Sequence, residues 1–471
     1  MFCPSELEMP RLLSILVLAG LLSFAAQGQA PSAGVVHSSV LVAAQPSNSY
    51  ALYLPSRYST AKRWPLLLIF DPFARGDVSV KLFHEAAEKY GFILVGSNNS
   101  RNFEDPSTAI RLLWAEVKEH YAIDPRRIYT AGLSGGARVA ASVALACKGC
   151  IAGVIANSAG LPTGAKPPEP DVTDWFLTAG TTDFNYTEQL RLKEAFAERN
   201  VASRFVIFDG PHGWMPKELA DAALAWFQLR AMIKGVAPMD KEFVAAQFES
   251  RVAEAQGEQK GGDVLAATRA YKEIAQDFSK VRDVKEQESL AKTLAASEET
   301  RKAKKAEKEA LKLEDETARK IGDTVAGLAQ GEDVRAQYMI ELHSVVNDVN
   351  DQQRRLSHPA MKQAIARALA SAFAFAVENG QQSMLKKNYI PACTMFQAGE
   401  IIQPDSAWAS YLMATSEAEL GQKKQAIDEL KKALEKGMTN PKALEDSSFD
   451  RIRNDEGFKE VQAKLVTGTK R

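Results

Sequence analysis

The chain reads as an α/β protein with a mostly parallel sheet covered by helices on both faces, followed by an all-helical half. Two observations predict this. From about residue 36 to 235, short apolar strand runs alternate with amphipathic helical runs, as in sheets built from crossover units. After Gly235 the strand signals stop and helical periodicity takes over. A third observation locates the chemistry. Gly132-Leu133-Ser134-Gly135-Gly136 follows a β-rich run and precedes a helix-forming one. That strand–turn–helix order is what a nucleophilic serine on a sharp turn requires. Gly132 and Gly136 supply the room such a turn needs two residues either side of the serine.

Taken in order, residues 36–42 and 50–54 read as an opening strand pair, and 64–70 as a buried strand. An amphipathic helix over 80–89 and a strand over 92–96 follow. The helix over 107–120 puts Ile110, Leu113 and Val117 on one face. Next come the elbow strand at 128–130, a helix from Ala137, and strands at 151–156 and 175–179. A helix over 189–199, a strand over 204–208 and a helix over about 216–233 complete this half. The segment 158–170 is short and rich in Pro and Gly, too short to fold a lid, so an open site is expected.

In the second half, 243–259 and 264–278 read as a helical hairpin across Gly261-Gly262. Residues 286–320, rich in Lys, Glu and Ala, read as one long solvated or coiled-coil-like helix. Toward the C-terminus Ala392, Phe396 and Gly399 recur as Ala426, Leu430 and Ala433, an offset of 34 residues. Gly421 is expected at an inter-helix turn, and Pro404 between two units. The expected segments are 1–30, 31–235, 236–371 and 372–471.

Composition excludes some classes. With 58 basic and 59 acidic residues in 471, the chain carries no global basicity and no nucleic-acid partner is expected. An apolar run at 12–26 is preceded by Arg11 and followed by Gly28-Gln29-Ala30. It falls short of the roughly 20 residues a spanning helix needs, and Ser14, Gly20 and Ser23 interrupt it. It therefore reads as a signal peptide cleaved after Ala30. The mature chain is expected to be exported, to a bacterial periplasm or the extracellular space, without a stable membrane span. Cys147 and Cys150 read either as a small disulfide or as two buried thiols, and Cys393 as a core residue.

A serine hydroxyl needs a base to remove its proton, and the base needs a third group to fix its tautomer. Of six histidines, only His212 follows Ser134 within the α/β half, in a Gly/Pro-rich loop after the last strand. Asp183 lies just past the strand at 175–179 and reads as the acid. Asp209 is too near His212 in sequence to orient it, and Asp174 lies at the wrong strand end. For an oxyanion, one donor is the N–H of Gly135. The second is expected from the loop after the strand at 64–70, where Pro72 has no N–H, so from Phe73 or else Ala74, with Phe73 favoured. Phe184 and Trp214 are expected to form a shallow substrate wall beside His212.

The motifs Gly132-Leu-Ser-Gly-Gly136, Gly180-Thr-Thr-Asp183 and Gly210-Pro-His-Gly-Trp214 resemble those of lidless α/β-hydrolase esterases, a group including feruloyl esterases, polyhydroxybutyrate depolymerases and phospholipase/carboxylesterases. The resemblance covers under half the chain, and the loop at Phe70–Gly76 lacks the His-Gly pair common in that group. It implies an α/β-hydrolase sheet and hydrolysis of a small or polymer-linked ester through an acyl-serine, with no metal or organic cofactor. A serine peptidase of the same fold is the rival within that class, and a catalytically silent binding protein the rival outside it. The C-terminal spacing is similar to tetratricopeptide repeats, which implies a protein partner for that region.

Overall fold

The computed structural model describes residues 31–468, so the apolar N-terminal run lies outside the described residues. Eight strands form one sheet: β1 Val36–Leu41, β2 Ser49–Tyr53, β3 Trp64–Phe70, β4 Ile93–Ser97, β5 Ile123–Leu133, β6 Gly153–Asn157, β7 Asp174–Gly180 and β8 Ser203–Phe208. Their order is β1-β2-β4-β3-β5-β6-β7-β8. β2 runs antiparallel to β1 and β4, and the remaining pairings are parallel. β3 is buried along its whole length, which is why it reads as an unbroken apolar run rather than an alternating one; β7 is equally buried although Asp174 and Thr178 interrupt its apolar residues. β5 is longer than the run at 128–130 because Ile123 also pairs, with Trp64, ahead of a shift in register before Leu66.

Helices α1 (Gly76–Tyr90) and α5 (Lys217–Ile233) cover one face, with Phe83, Phe176 and Phe227 in the core between. Helices α2 (Ser107–His120), α3 (Gly135–Ala146) and α4 (Tyr186–Glu198) cover the other, around Leu113, Ala140 and Phe196. This strand order with helices on both faces is the α/β-hydrolase fold. Cys147 and Cys150 form a disulfide just past α3, which decides between the two alternatives left by the sequence. Cys393 is a free, half-buried thiol.

The chain then becomes all-helical: α6 Lys241–Lys260, α7 Val264–Phe278, α8 Lys285–Ala296, α9 Glu298–Gly327, α10 Glu332–Arg355, α11 Pro359–Leu385, α12 Tyr389–Ile402, α13 Ala407–Glu419, α14 Lys423–Glu435 and α15 Glu456–Gly468. The single long helix expected over 286–320 is instead two. Ser297 leaves the helical region at ψ 155° and accepts from Thr300 N–H at 3.1 Å, with Glu298 and Glu299 in the new first turn. A Lys/Glu/Ala-rich composition favours helix on both sides of such a cap and so hides it. Over 298–320 α9 is largely exposed, with Thr300, Ala310, Glu314 and Thr317 buried along it; beyond that range Ile321 and Val325 pack with α10 and α11. Ala392, Phe396, Ala426 and Leu430 share one core. Gly421 makes the turn between α13 and α14 at φ 78°, and Pro404 lies in the connection between α12 and α13, so between the pairs α11–α12 and α13–α14, as expected.

The sheet and these helices belong to one compact unit beginning at Ala33. Between the outer edge of β8 and helices α6, α7, α9 and α11 lies a cavity of about 680 Å³. Among the described residues α11 alone is long and apolar enough to cross a membrane. Here Ala364, Ile365, Ala368 and Ala372 are buried alongside Arg367, as in a core helix.

Candidate active site

β5 ends at Leu133, and Ser134 follows at φ 53°, ψ −122° before α3 begins. An L-residue rarely adopts this conformation, and it persists only where the surroundings enforce it. Backbone does so here. A Cβ on Gly136 would stand 2.1 Å from Phe70 O, and one on Gly132 2.1 Å from Gly136 O. The glycines let the end of β3 and the start of α3 meet without side chains between them. Ser134 N–H donates to Asn157 O at 2.9 Å.

Asp183 is fully buried in the loop after β7. Its Oδ1 accepts from His212 Nδ1 at 2.8 Å and from Asn185 N–H at 2.8 Å. A carboxylate only accepts, so Nδ1 carries the imidazole proton and Nε2 is left free as a base. Asp183 Oδ2 is buried with no partner among the described residues. Asn157 secures the histidine loop just after His212, donating to Gly213 O at 3.0 Å and accepting from Met215 N–H at 2.8 Å. Ser134, Asp183 and His212 thus follow the C-terminal ends of β5, β7 and β8. The competing carboxylates are engaged elsewhere. Asp209 accepts from Thr181 Oγ1 at 2.9 Å, and Asp174 pairs with Arg230 and Lys234 at 3.0 and 2.9 Å.

Phe184 stacks on the His212 ring, centroids 3.9 Å apart. Trp214 does not join it. Its Nε1 donates to Asp71 Oδ2 at 2.9 Å and its ring meets Phe83, so it supports the loop from below rather than walling the site. The oxyanion donor expected at Phe73 is also corrected. Phe73 N–H is committed to Asp71 Oδ1 at 2.8 Å, and Ala74 N–H to Asp71 O at 2.9 Å. Asp71, fully buried, also takes Arg75 Nε and Nη2 at 3.0 and 2.9 Å. What lies against Gly135 instead is the Asn102 amide. A Cβ on Gly135 would stand 2.0 Å from Asn102 Oδ1 and 2.9 Å from Nδ2. Asn102 N–H is anchored to Pro72 O at 2.8 Å.

The segment 158–170 holds no lid, but the site is not bare. Helices α11 and α13 approach it from the second half of the chain. Arg367 on α11 donates to Thr181 O at 2.9 Å, two residues before Asp183. Eleven residues on, about three turns along the same stripe, Glu378 comes within electrostatic reach of His212 and Arg138; desolvation pushes its carboxyl above the usual range, opposed by attraction to those two. On the other side, Trp408 on α13 meets Phe73 at 6.2 Å. Arg138 is itself held by Glu188 at 2.7 Å and donates to Leu161 O at 2.7 Å. Sequence reading missed Asp71, Asn102, Asn157 and Arg367. Only Asp71 carried a local signal, an acid before Pro72 in the loop already singled out. Among the described residues no three His, Cys, Asp or Glu side chains gather as metal ligands would.

No protein-family model and no curated protein matches the chain. Among solved structures it is similar to an S-formylglutathione hydrolase from Staphylococcus aureus, at 14% identity over 42% of this chain and 99% of that one, TM-score 0.34. It is similar also to a ferulic acid esterase, at 18% identity over 41% and 96%, TM-score 0.35. A third is an esterase from Pyrobaculum calidifontis, at 14% identity over 42% and 87%, TM-score 0.35. At that identity and TM-score the likeness assigns no substrate and no residue role to this chain.

Proposed function

We propose that this chain is an exported serine hydrolase that cleaves carboxylic esters through an acyl-serine intermediate. The observation that carries the reading is the hydrogen bond of His212 to the fully buried Asp183, on the same sheet edge as a serine held at φ 53°. His212 Nε2 takes the Ser134 proton as Oγ attacks the ester carbonyl. Gly135 N–H and the Asn102 amide receive the charge that develops on the carbonyl oxygen. Asn102 serves as donor with Nδ2 turned inward, a rotation about its terminal torsion that leaves its outline unchanged. His212 then returns the proton to the departing alcohol, and water repeats the sequence on the acyl-serine.

Export is proposed from the N-terminal apolar run and from the Cys147–Cys150 disulfide, which an oxidising compartment would preserve. The helices from α12 onward are proposed as the surface for a protein partner, on the strength of their 34-residue spacing. Turnover of p-nitrophenyl acetate by wild type and by Ser134→Ala tests the central claim. The variant should lose at least about a thousandfold in kcat, and a fluorophosphonate should label wild type alone. Labelling at another serine, or equal turnover by both proteins, would reject it.

A further inference from the structure

Resting on the ester-hydrolase reading, we propose that Arg367 is a positioning residue: held by Glu314, it fixes from the helical half the loop that orients His212 through Asp183. Arg367 and Glu314 are 4% and 6% exposed. Arg367 Nε donates to Glu314 Oε2 at 2.7 Å, and Nη1 donates to Thr181 O at 2.9 Å. The guanidinium lies over the Tyr186 ring at 4.4 Å. Glu314 Oε1 accepts from Thr187 Oγ1 at 2.8 Å. The pair therefore grips Thr181, Tyr186 and Thr187, which flank Asp183 on both sides.

The loop has little else outside the sheet half to hold it. At Thr181 and Thr182 its bonds run to the end of β8 and the histidine loop, Thr181 N–H to Phe208 O at 2.9 Å and Thr182 N–H to Gly210 O at 3.0 Å; past Asp183, Asn185 Nδ2 donates to Ser158 O at 2.7 Å. Movement of one loop would carry the other along. The clamp supplies an external reference, from helices more than a hundred residues downstream in sequence. A buried pair of this kind is poor evidence for stability in itself, because desolvation offsets the attraction. It is better suited to fixing a geometry.

A merely structural tether between the halves is the competing account, and full-length variants separate the two. Arg367→Met should lower kcat for p-nitrophenyl acetate by about tenfold to a hundredfold, the range a small misplacement costs, with KM changed less than about twofold. Arg367→Lys, keeping one donor, should recover part of the loss. Added to Asp183→Asn, Arg367→Met should cause no further loss, since both act through the same hydrogen bond. The low-field proton resonance of His212 Nδ1–H gives a readout that needs no turnover, and should be lost in Arg367→Met. Glu314→Gln and Thr187→Val should weaken it in turn, and they serve if Arg367→Met does not fold. A fall in melting temperature with kcat and the resonance unchanged would overturn the proposal, as would losses that multiply with Asp183→Asn. Wild type inactive on esters would reject the hydrolase reading alone, and the resonance would still decide the clamp.

Discussion

Phe73, in the loop beside the serine elbow, and Trp408, on α13, meet at 6.2 Å with their rings nearly perpendicular. Both remain partly exposed, at 48% and 39%. Trp408 is stacked on Tyr411 at 5.2 Å, and the Tyr411 hydroxyl donates to Ala443 O at 3.1 Å. The helical half therefore presents a braced aromatic face at the mouth of the site. Esters of aromatic acids should therefore be preferred over acetates of the same alcohol. Trp408→Ala should cut kcat/KM for a phenylacetyl or feruloyl ester by roughly threefold to tenfold, the worth of one aromatic pair, and leave acetate within about twofold. An unchanged ratio between the two esters would remove Trp408 from the substrate path.

The carboxylate next to His212 is Asp183, and Asp209 is bonded to Thr181 instead. Asp183→Asn should therefore reduce kcat by about ten-thousandfold, as when the orienting acid of a triad is replaced. Asp209→Asn should stay within about threefold of wild type. The reverse ranking in a steady-state assay would reassign the acid.

Asn102 and Gly135 should behave as one unit. Asn102→Ala is expected to lower kcat by about a hundredfold to a thousandfold, the effect of removing one oxyanion donor. Gly135→Ala should do comparable damage for a steric reason, since its methyl would stand 2.0 Å from Asn102 Oδ1 and displace the amide. A fully active Asn102→Ala would show that the hole has another second donor.

Stability should fall with rising pH for a reason far from the site. Glu417 is 7% exposed and its carboxyl is pushed up to about 7 by burial and by Glu429. A carboxyl raised in the folded state binds its proton more tightly there than in the unfolded chain. Its contribution is thus present below the ordinary value of 4.5 and lost as pH climbs through about 7. Glu417→Gln should melt about 1–3 °C above wild type at pH 8, with the gap closing at pH 5. A constant gap across that range, by scanning calorimetry, would assign the effect to packing.

The strands and the meeting of Asp183 with His212 were legible because each depends on short local patterns: apolar runs, and polar residues just past strand ends. Ser297 was legible in principle, since a serine followed by two glutamates is a cap signature. Favourable helix composition on both sides masked it. Phe73 and Trp214 were misread for a different reason. Both are claimed by one side chain, Asp71, which sequence spacing does not connect to Trp214 across 143 residues. The approach of α11 and α13 to the site was beyond reach. The Arg367–Thr181 bond spans 186 residues, and no periodicity within either half points to the other.

β8 closes one end of the sheet, and the helices across the cavity from it are all encoded later. During synthesis the strand emerges roughly 120 residues before α9 is complete. At ordinary elongation rates that is a wait of roughly 6–24 s. Throughout it the outer edge of β8 offers unpaired backbone groups to any neighbouring strand. Phe205 N–H, which later donates to Glu273 on α7 at 3.4 Å, is among them. Nascent chains on one message would share that bare edge at close quarters, so yield of this protein should depend on holding chaperones more than its final stability suggests.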